Sequence, residues 1–375
     1  MKFLFVPDSF KGTFTSAEVS EMLTEAAKSV FDSPQCYKLK MADGGEGTME
    51  AIIDAVDGEN VYVDVLGPLR ENVNASYCIF NQDEAFIEMA QASGLTLINK
   101  SLRNPLKTST YGTGQLIMNA VDRGCRHIYI SIGGSATNDG GMGCLRALGV
   151  RFYDNYSQEL EGMGDDLIKV ARIDTSNLDH RIADIKFTVL CDVDNPLCGE
   201  RGATHVFAKQ KGASDENIIS LEAGMCNYCN LLEETFHVNP NSIAGTGAAG
   251  GLGAALFLFL NAERKSGIEE VCKLINFQEL LKSADIVITG EGRVDEQSCH
   301  GKVLMGVGEY CKKYNKNLFA IVGDKGQGWE QIFNFEINKV FAVTDKFSYN
   351  ELIRDPKGTF MTVATEMFKA IKGLV

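Results

Sequence analysis

Short apolar runs recur along this 375-residue chain, and most of them end in Gly or Asp. Phe3 to Val6 runs into PDSFKG, Tyr37 to Lys40 into MADGGEG, and Phe187 to Leu190 into CDVDNPL. Ile286 to Thr289 leads into GEGRVDEQS, Leu318 to Val322 into GDKG, and Val340 to Val343 into TDKF. Such short β-forming runs with little alternation suit strands covered on both faces, hence a parallel sheet. Helical patterns lie between them. Thr15 and Glu18 are spaced as a capping box, and Val19, Met22, Leu23, Ala26, Ala27 and Val30 follow at helical spacing. Further helices are predicted over Thr48 to Ala55, Thr113 to Asp122, Asp215 to Phe236, Gly251 to Leu260 and Met305 to Lys313. Strand–helix alternation at both chain ends predicts the α/β class with a doubly wound parallel sheet, whose ligands sit beyond the carboxyl ends of the strands. The middle differs. Val61 to Leu66, Val73 to Phe80 and Ala85 to Ala90 are close-spaced strands, two of them flanking the turn-rich GPLREN, and predict a mixed-sheet insertion.

One strand end stands out. The run Ile128, Tyr129, Ile130, Ile132 stops at Gly133-Gly134, and a helical pattern resumes near Met142. Gly133, Gly134, Gly140 and Gly141 enclose Ser135, Ala136, Thr137, Asn138 and Asp139. Such a loop can turn where a Cβ would clash, and its N–H groups, with those of the following helix, can converge on an anion. A plain strand-to-helix turn also uses glycine, but it needs fewer hydrogen-bonding side chains than this loop carries.

The net charge of −14 argues against nucleic acid or an anionic membrane as partner. A small anionic substrate would need local compensation by Lys, Arg, backbone N–H groups or a metal. The N-terminal apolar stretch is too short for a signal-peptide core, and no run approaches membrane-spanning length, so a cytoplasmic protein is expected. Eleven Cys without framework spacing fit a reducing compartment. Cys226 and Cys229 form a lone C-x-x-C inside a helical pattern and read as incidental thiols rather than zinc or redox chemistry.

Several strand ends carry candidate chemistry. Asp43 and Glu46 in MADGGEGT would meet a ligand or metal, or Asp43 would cap the next helix. Asp192 and Asp194 in CDVDNPL can hold Mg²⁺, or one can serve as a base toward a hydroxyl. Glu291, Arg293, Asp295, Ser298 and Lys302 mix charges after another strand, where Arg and Lys would offset the acidic balance near a phosphate. Asp8, Ser9 and Lys11 do the same after the first. Gly245, Gly247 and Gly250 spell G-x-G-x-x-G, but no strand precedes them and no ribose-binding acid follows, so a Gly-rich entry to a buried helix that lines a ligand fits better than a dinucleotide site. No Walker motif or protein-kinase H-R-D is present.

Taken in order, PDSFKG, MADGGEGT, GPL, EMAQASGL, RNPLKTSTYGTGQLI, IGGSATNDGGMG, CDVDNPL, QKGA, GTGAAGGLGAAL, ADIVITGEGRVDEQS and GK resemble the bacterial glycerate kinase family. They cover most of residues 1 to 310. Departures are local: Arg70 and Glu71 follow GPL, Ala208-Lys209 precede QKGA, and Leu304 stands where a Pro is common. The last 60 residues match poorly, and nothing is carried over for them. The resemblance implies a Rossmann- or flavodoxin-like domain from residues 1–60 and 275–375 and an inserted mixed-sheet α/β domain from 61–274, with the site between them; strand 127–132 could join either. It implies transfer of the ATP γ-phosphoryl group to D-glycerate with Mg²⁺, giving 2-phosphoglycerate, with the 3-phosphate or another hydroxy acid as alternatives. A nucleotide-dependent dehydrogenase and a non-catalytic anion-binding protein are rivals from other classes. The reading assigns Asp192 as base, with Asp8 and Lys11 beside it, and Asp194 to Mg²⁺. Gly133, Gly134, Ser135, Asn138 and Asp139 are assigned to phosphate or carboxylate binding. Asp43, Gly247, Glu291, Arg293, Asp295 and Lys302 complete the expected binding residues. Oligomeric state is left open.

Overall fold

A computed structural model describes residues 1–10, 12–40, 48–56, 58–296 and 303–374. The strands, in chain order, begin with β1 (Lys2–Pro7), β2 (Gln35–Lys38), β3 (Glu59–Leu66), β4 (Asn72–Phe80), β5 (Glu84–Glu88) and β6 (His127–Ser131). They continue with β7 (Arg151–Tyr153), β8 (Arg172–Asp174), β9 (Lys186–Leu190), β10 (Glu263–Lys265), β11 (Ile286–Val294), β12 (Asn317–Lys325) and β13 (Ile337–Ala342). The chain divides into two compact units, Met1–Asp43 with Ile268–Val375, and Gly44–Gly267.

In the first unit, Phe3, Leu4, Phe5 and Val6 of β1 are all fully buried, so the strand needs a layer on each side. It lies inside an all-parallel sheet of order β13-β12-β11-β1-β2. Counted within the unit, that order is 2-1-3-4-5, the flavodoxin-like form of the doubly wound fold. Helices Ser16–Val30 and Pro356–Lys372 bring Val19, Leu23, Phe360 and Phe368 onto Phe3, Phe5, Ile288 and Ile321. The first helix opens with the expected capping box: Thr15 Oγ1 accepts from the Glu18 N–H at 3.2 Å, and Glu18 Oε2 accepts from the Thr15 N–H at 2.8 Å. Strands β11 and β12 run beyond the apolar stretches that predict them, to Val294 and Lys325. Glycine permits this, since a Cβ at Gly290 would lie 2.2 Å from the Ile321 carbonyl oxygen and one at Gly323 would lie 2.4 Å from that of Gly292.

The second unit holds a six-stranded mixed sheet of order β10-β9-β6-β5-β4-β3. β3, β4 and β5 form an antiparallel meander, while β5, β6, β9 and β10 run parallel. Strand β6, which the sequence could place in either domain, lies in this sheet between β5 and β9. Helix Thr48–Val56 packs on β4 and β5, so it falls in this unit although a boundary at residue 60 would assign it to the first. The unit has its own core, with Ile87, Ile128, Ile130 and Val189 from the sheet meeting Leu116, Ile117, Met225, Tyr228 and Leu256 from helices. Among the described residues no helix is long and apolar enough to cross a membrane.

Candidate active site

Parallel pairing of β5, β6, β9 and β10 brings their carboxyl ends to one edge of the second unit's sheet, which is where α/β sheets bind ligands. The loop after β6 turns on three left-handed glycines, Gly134 (φ +73°), Gly140 (φ +65°) and Gly141 (φ +75°). Gly133 and Gly134 are its exposed residues; Ser135 to Gly141 are buried. The buried part is tied down by its backbone. Leu95 N–H donates to the Gly134 carbonyl at 2.8 Å, Ala136 N–H to Ser93 at 2.9 Å, and Gly140 N–H to Gly250 at 3.0 Å.

Asp139 serves this loop from within. Its Oδ2 accepts from the Thr110 N–H and Oγ1, each at 2.7 Å, and from the Gly143 N–H at 3.3 Å, while Oδ1 accepts from the Gly141 N–H at 3.1 Å. Burial pushes its carboxyl above the usual range despite these bonds. The side chain is fully enclosed, so it orders the start of helix Met142–Ala147 rather than facing a ligand. Asn138 is equally buried; its Nδ2 donates to Thr204 Oγ1 at 3.3 Å, and its Oδ1 has no hydrogen-bond partner among the described residues.

Beneath the loop lies Lys211, 2 % exposed. Its Nζ donates to Ser135 Oγ at 2.7 Å and to the Thr137 carbonyl at 2.6 Å. Burial pushes its ammonium down to about 7, against the pull of Asp139. The loop therefore rests on a buried base whose proton is held loosely at neutral pH.

The neighbouring strand ends add carboxylates. Asp192, just after β9, is exposed and accepts from the Gly267 N–H at 3.1 Å. Asp194, two residues on, is paired at the surface: its carboxylate is 65 % exposed and lies 3.2 Å from the Arg201 guanidinium. Glu88 closes β5 as a buried acid whose Oε1 accepts from the Met49 N–H at 2.8 Å, at the start of helix Thr48–Val56. Burial raises its carboxyl above the ordinary range.

In the first unit, the strand order reverses between β1 and β11. Asp8 follows β1, its N–H donating to the Gly290 carbonyl at 2.8 Å, and Glu291 continues β11 beside it. Arg293 stands opposite Asp324 on β12, with 3.8 Å between guanidinium and carboxylate, and Asp324 also accepts from Thr344 Oγ1 at 3.0 Å. Asp295 lies next to Gly326, where a Cβ would come within 2.8 Å of its own Cβ. One edge thus gathers Asp8, Glu291, Arg293 and Asp295.

The family profile described as "Glycerate kinase family" matches residues 3–372, and so extends into the last 60 residues. A glycerate kinase of Halalkalibacterium halodurans is 45 % identical over 344 residues, covering 92 % of this chain and 90 % of its own. A glycerate 2-kinase of Escherichia coli K12 is 41 % identical over 380 residues, covering 99 % of this chain and all of its own. A crystal structure of a putative glycerate kinase 2 from Salmonella typhimurium LT2 superposes with a TM-score of 0.87 at 40 % identity, covering 100 % of this chain and 98 % of that one. The chain belongs to the glycerate kinase family.

Within this glycerate kinase family member the expected residues separate by location. Gly133, Gly134, Ser135, Asn138, Asp139 and Asp192 gather at the second unit's strand ends, and Asp8, Glu291, Arg293 and Asp295 at those of the first. Gly247 packs against the segment that carries Asp192 and Asp194, its N–H donating to the Asn195 carbonyl at 3.0 Å. It is buried, and a Cβ there would lie 2.1 Å from the Pro196 carbonyl oxygen, so it packs one loop against another. No strand precedes it, as the sequence indicated; a short 3₁₀ turn, Pro240–Ser242, does. Lys11, Asp43 and Lys302 lie outside the described residues. Two groups escaped the sequence reading. Lys211 was visible within QKGA, but nothing in its spacing shows that it lies under the glycine loop. Glu88 had a sharper signal, an acid ending the buried run AFIE.

Proposed function

We propose that this chain transfers the γ-phosphoryl group of ATP to the 2-hydroxyl of D-glycerate, giving 2-phosphoglycerate. The observation that carries this reading is the glycine loop at Gly133-Gly134, exposed at the sheet edge, stiffened by Asp139 and Lys211, with Asp192 on the adjacent strand end. Phosphoryl transfer needs positioning and charge neutralisation, plus a carboxylate to receive the hydroxyl proton. Asp192 suits the last role: it is exposed, and its bond to the Gly267 N–H orients the carboxylate. Exposed N–H groups at Gly133 and Gly134 suit a phosphate or the glycerate carboxylate. In the first unit, Asp8, Glu291, Arg293 and Asp295 gather at the strand ends, where Arg293 supplies a cation beside the acids.

Mg²⁺ belongs to this reading. Magnesium is commonly held by one or two carboxylates together with phosphate oxygens, and the hard oxygen donors of Asp194 match that demand. Asp194 is accessible, and its surface pairing with Arg201 is of the kind a cation can replace. When bound, the ion would neutralise charge on the transferring phosphoryl group.

The test is an ADP-release assay with D-glycerate, L-glycerate and glycerol, followed by phosphorus NMR of the product. D-glycerate-dependent ADP release with the phosphate on C2 is expected. A 3-phosphate would overturn the regiochemistry, and release independent of D-glycerate would overturn the activity itself.

A further inference from the structure

The lone C-x-x-C acquires a partner in the fold. Glu222, Cys226 and Cys229 occupy positions i, i+4 and i+7 of helix Asp215–Phe236, so they share one stripe of it. Cys198 arrives from the segment that follows Asp192, Asp194 and Pro196. Its Sγ, the Cys226 Sγ and a Glu222 carboxylate oxygen all lie within 4.8 Å of one another. The Cys229 thiol lies beside that of Cys198 as well, close enough to interact with it. Two sulfurs and a carboxylate therefore converge, with a third sulfur beside Cys198, from a loop and a helix.

The surroundings are arranged as they are around a metal's ligands. Asn241 holds Cys198 from outside, its Nδ2 donating to the Sγ at 3.2 Å and its Oδ1 accepting from the Cys198 N–H at 3.1 Å. Glu222 Oε1 accepts from the Gly199 N–H at 2.6 Å and from the Cys226 thiol at 3.6 Å. Its Oε2 is buried and has no hydrogen-bond partner among the described residues. A buried carboxylate oxygen without a donor is costly, and a cation would satisfy it. A disulfide would consume two sulfurs and leave that oxygen unmet.

We propose that Cys198, Cys226, Cys229 and Glu222 bind one Zn²⁺ in a closed, tetrahedral, structural site. Thiolates select zinc over harder divalent ions, and ligand atoms this close can gather at Zn–S distances of about 2.3 Å after small side-chain rotations. Each thiol gives its proton to solvent on binding, and no electron moves. The ion would staple the segment around Cys198 to the long helix and so fix the chain just beyond Asp192. It takes no part in phosphoryl transfer.

Zinc content of the full chain, purified without chelator and measured by mass spectrometry, tests the site. About 1 Zn²⁺ per chain is expected, falling at least ~10-fold in Cys198→Ser and in Cys226→Ser, while Cys36→Ser keeps its zinc. Co²⁺ added to chelator-stripped protein should give the thiolate charge-transfer and intense d–d bands of a tetrahedral sulfur site. Because the variants could simply misfold, stripped wild type is also melted with and without added Zn²⁺, and a rise in Tm on addition is expected. Wild-type protein that takes up no zinc after stripping and add-back would overturn the proposal. So would equal uptake by Cys198→Ser, or a disulfide joining two of the three cysteines in protein kept with thiol reductant.

Discussion

Two side chains at one sheet edge illustrate how position decides what a charged group can do. Asp192 is exposed and accepts from the Gly267 backbone N–H, which leaves its carboxylate accessible. Asp192→Asn should lower kcat by roughly 10²–10⁴, the range for loss of a general base, with an unchanged melting curve. Turnover near wild type would remove Asp192 from that role. Lys211 is the opposite case, a base enclosed beneath the loop. It binds a proton near 10.5 in the unfolded chain but only near 7 in the fold. Between those values the unfolded chain holds the additional proton, so the Lys211 contribution to stability rises with pH across this window, and its cost is fully present below about 7. The slope is at most about 1.4 kcal/mol per pH unit. Urea unfolding at pH 7, 8 and 9 should show that Lys211→Met loses this rise; a pH dependence identical to wild type would show that the lysine is solvated.

At the scale of elements, the glycine loop is shaped by its neighbours as much as by its own sequence. Gly250, in the turn before helix Leu252–Phe259, adopts φ +69°, and a Cβ there would lie 2.1 Å from the Thr137 carbonyl oxygen. Gly124 has φ +89° with nothing within 4 Å of such a Cβ. Both Ala variants carry the left-handed strain of roughly 1–2 kcal/mol, but Gly250→Ala must also push two backbones apart, at about 1–3 kcal/mol more. Urea midpoints of the two variants measure the difference, and equal losses would show that the loop yields freely. The loop itself was legible in sequence because glycine and small polar residues after a β run are a local signal. Its support was not. Asp139 reads as a ligand when seen beside Asn138, and only the packing of Thr110 and Gly143 around it reveals a capping role.

At the scale of the molecule, the described residues build two large sheets, each with its own core, and a two-stranded ribbon of β7 and β8. The second unit's sheet and helices come from one continuous stretch, Gly44–Gly267, inserted between β2 and β11. A domain with a self-contained core can fold alone. A fragment of residues 44–267 should therefore unfold cooperatively in urea. A broad, non-cooperative transition would show that the unit depends on the rest of the chain. The net charge of −14 belongs to this scale too: the field of the whole chain disfavours anions, so an anionic substrate needs compensation from local donors.

The sequence by itself determined the class of fold, most strands and helices, and the family, because these rest on local periodicity and on motifs that need no partner to be recognised. Strand β6 shows where that ends: its apolar run announces a strand, but only pairing with β5 and β9 decides which sheet it joins. The roles of acids and thiols were decided the same way. Asp139 and Lys211 act from 72 residues apart, and Cys198 meets Glu222 and Cys226 only in the fold. Burial, charge pairing and ligand geometry depend on distances in space. Those distances exist only after the chain has packed.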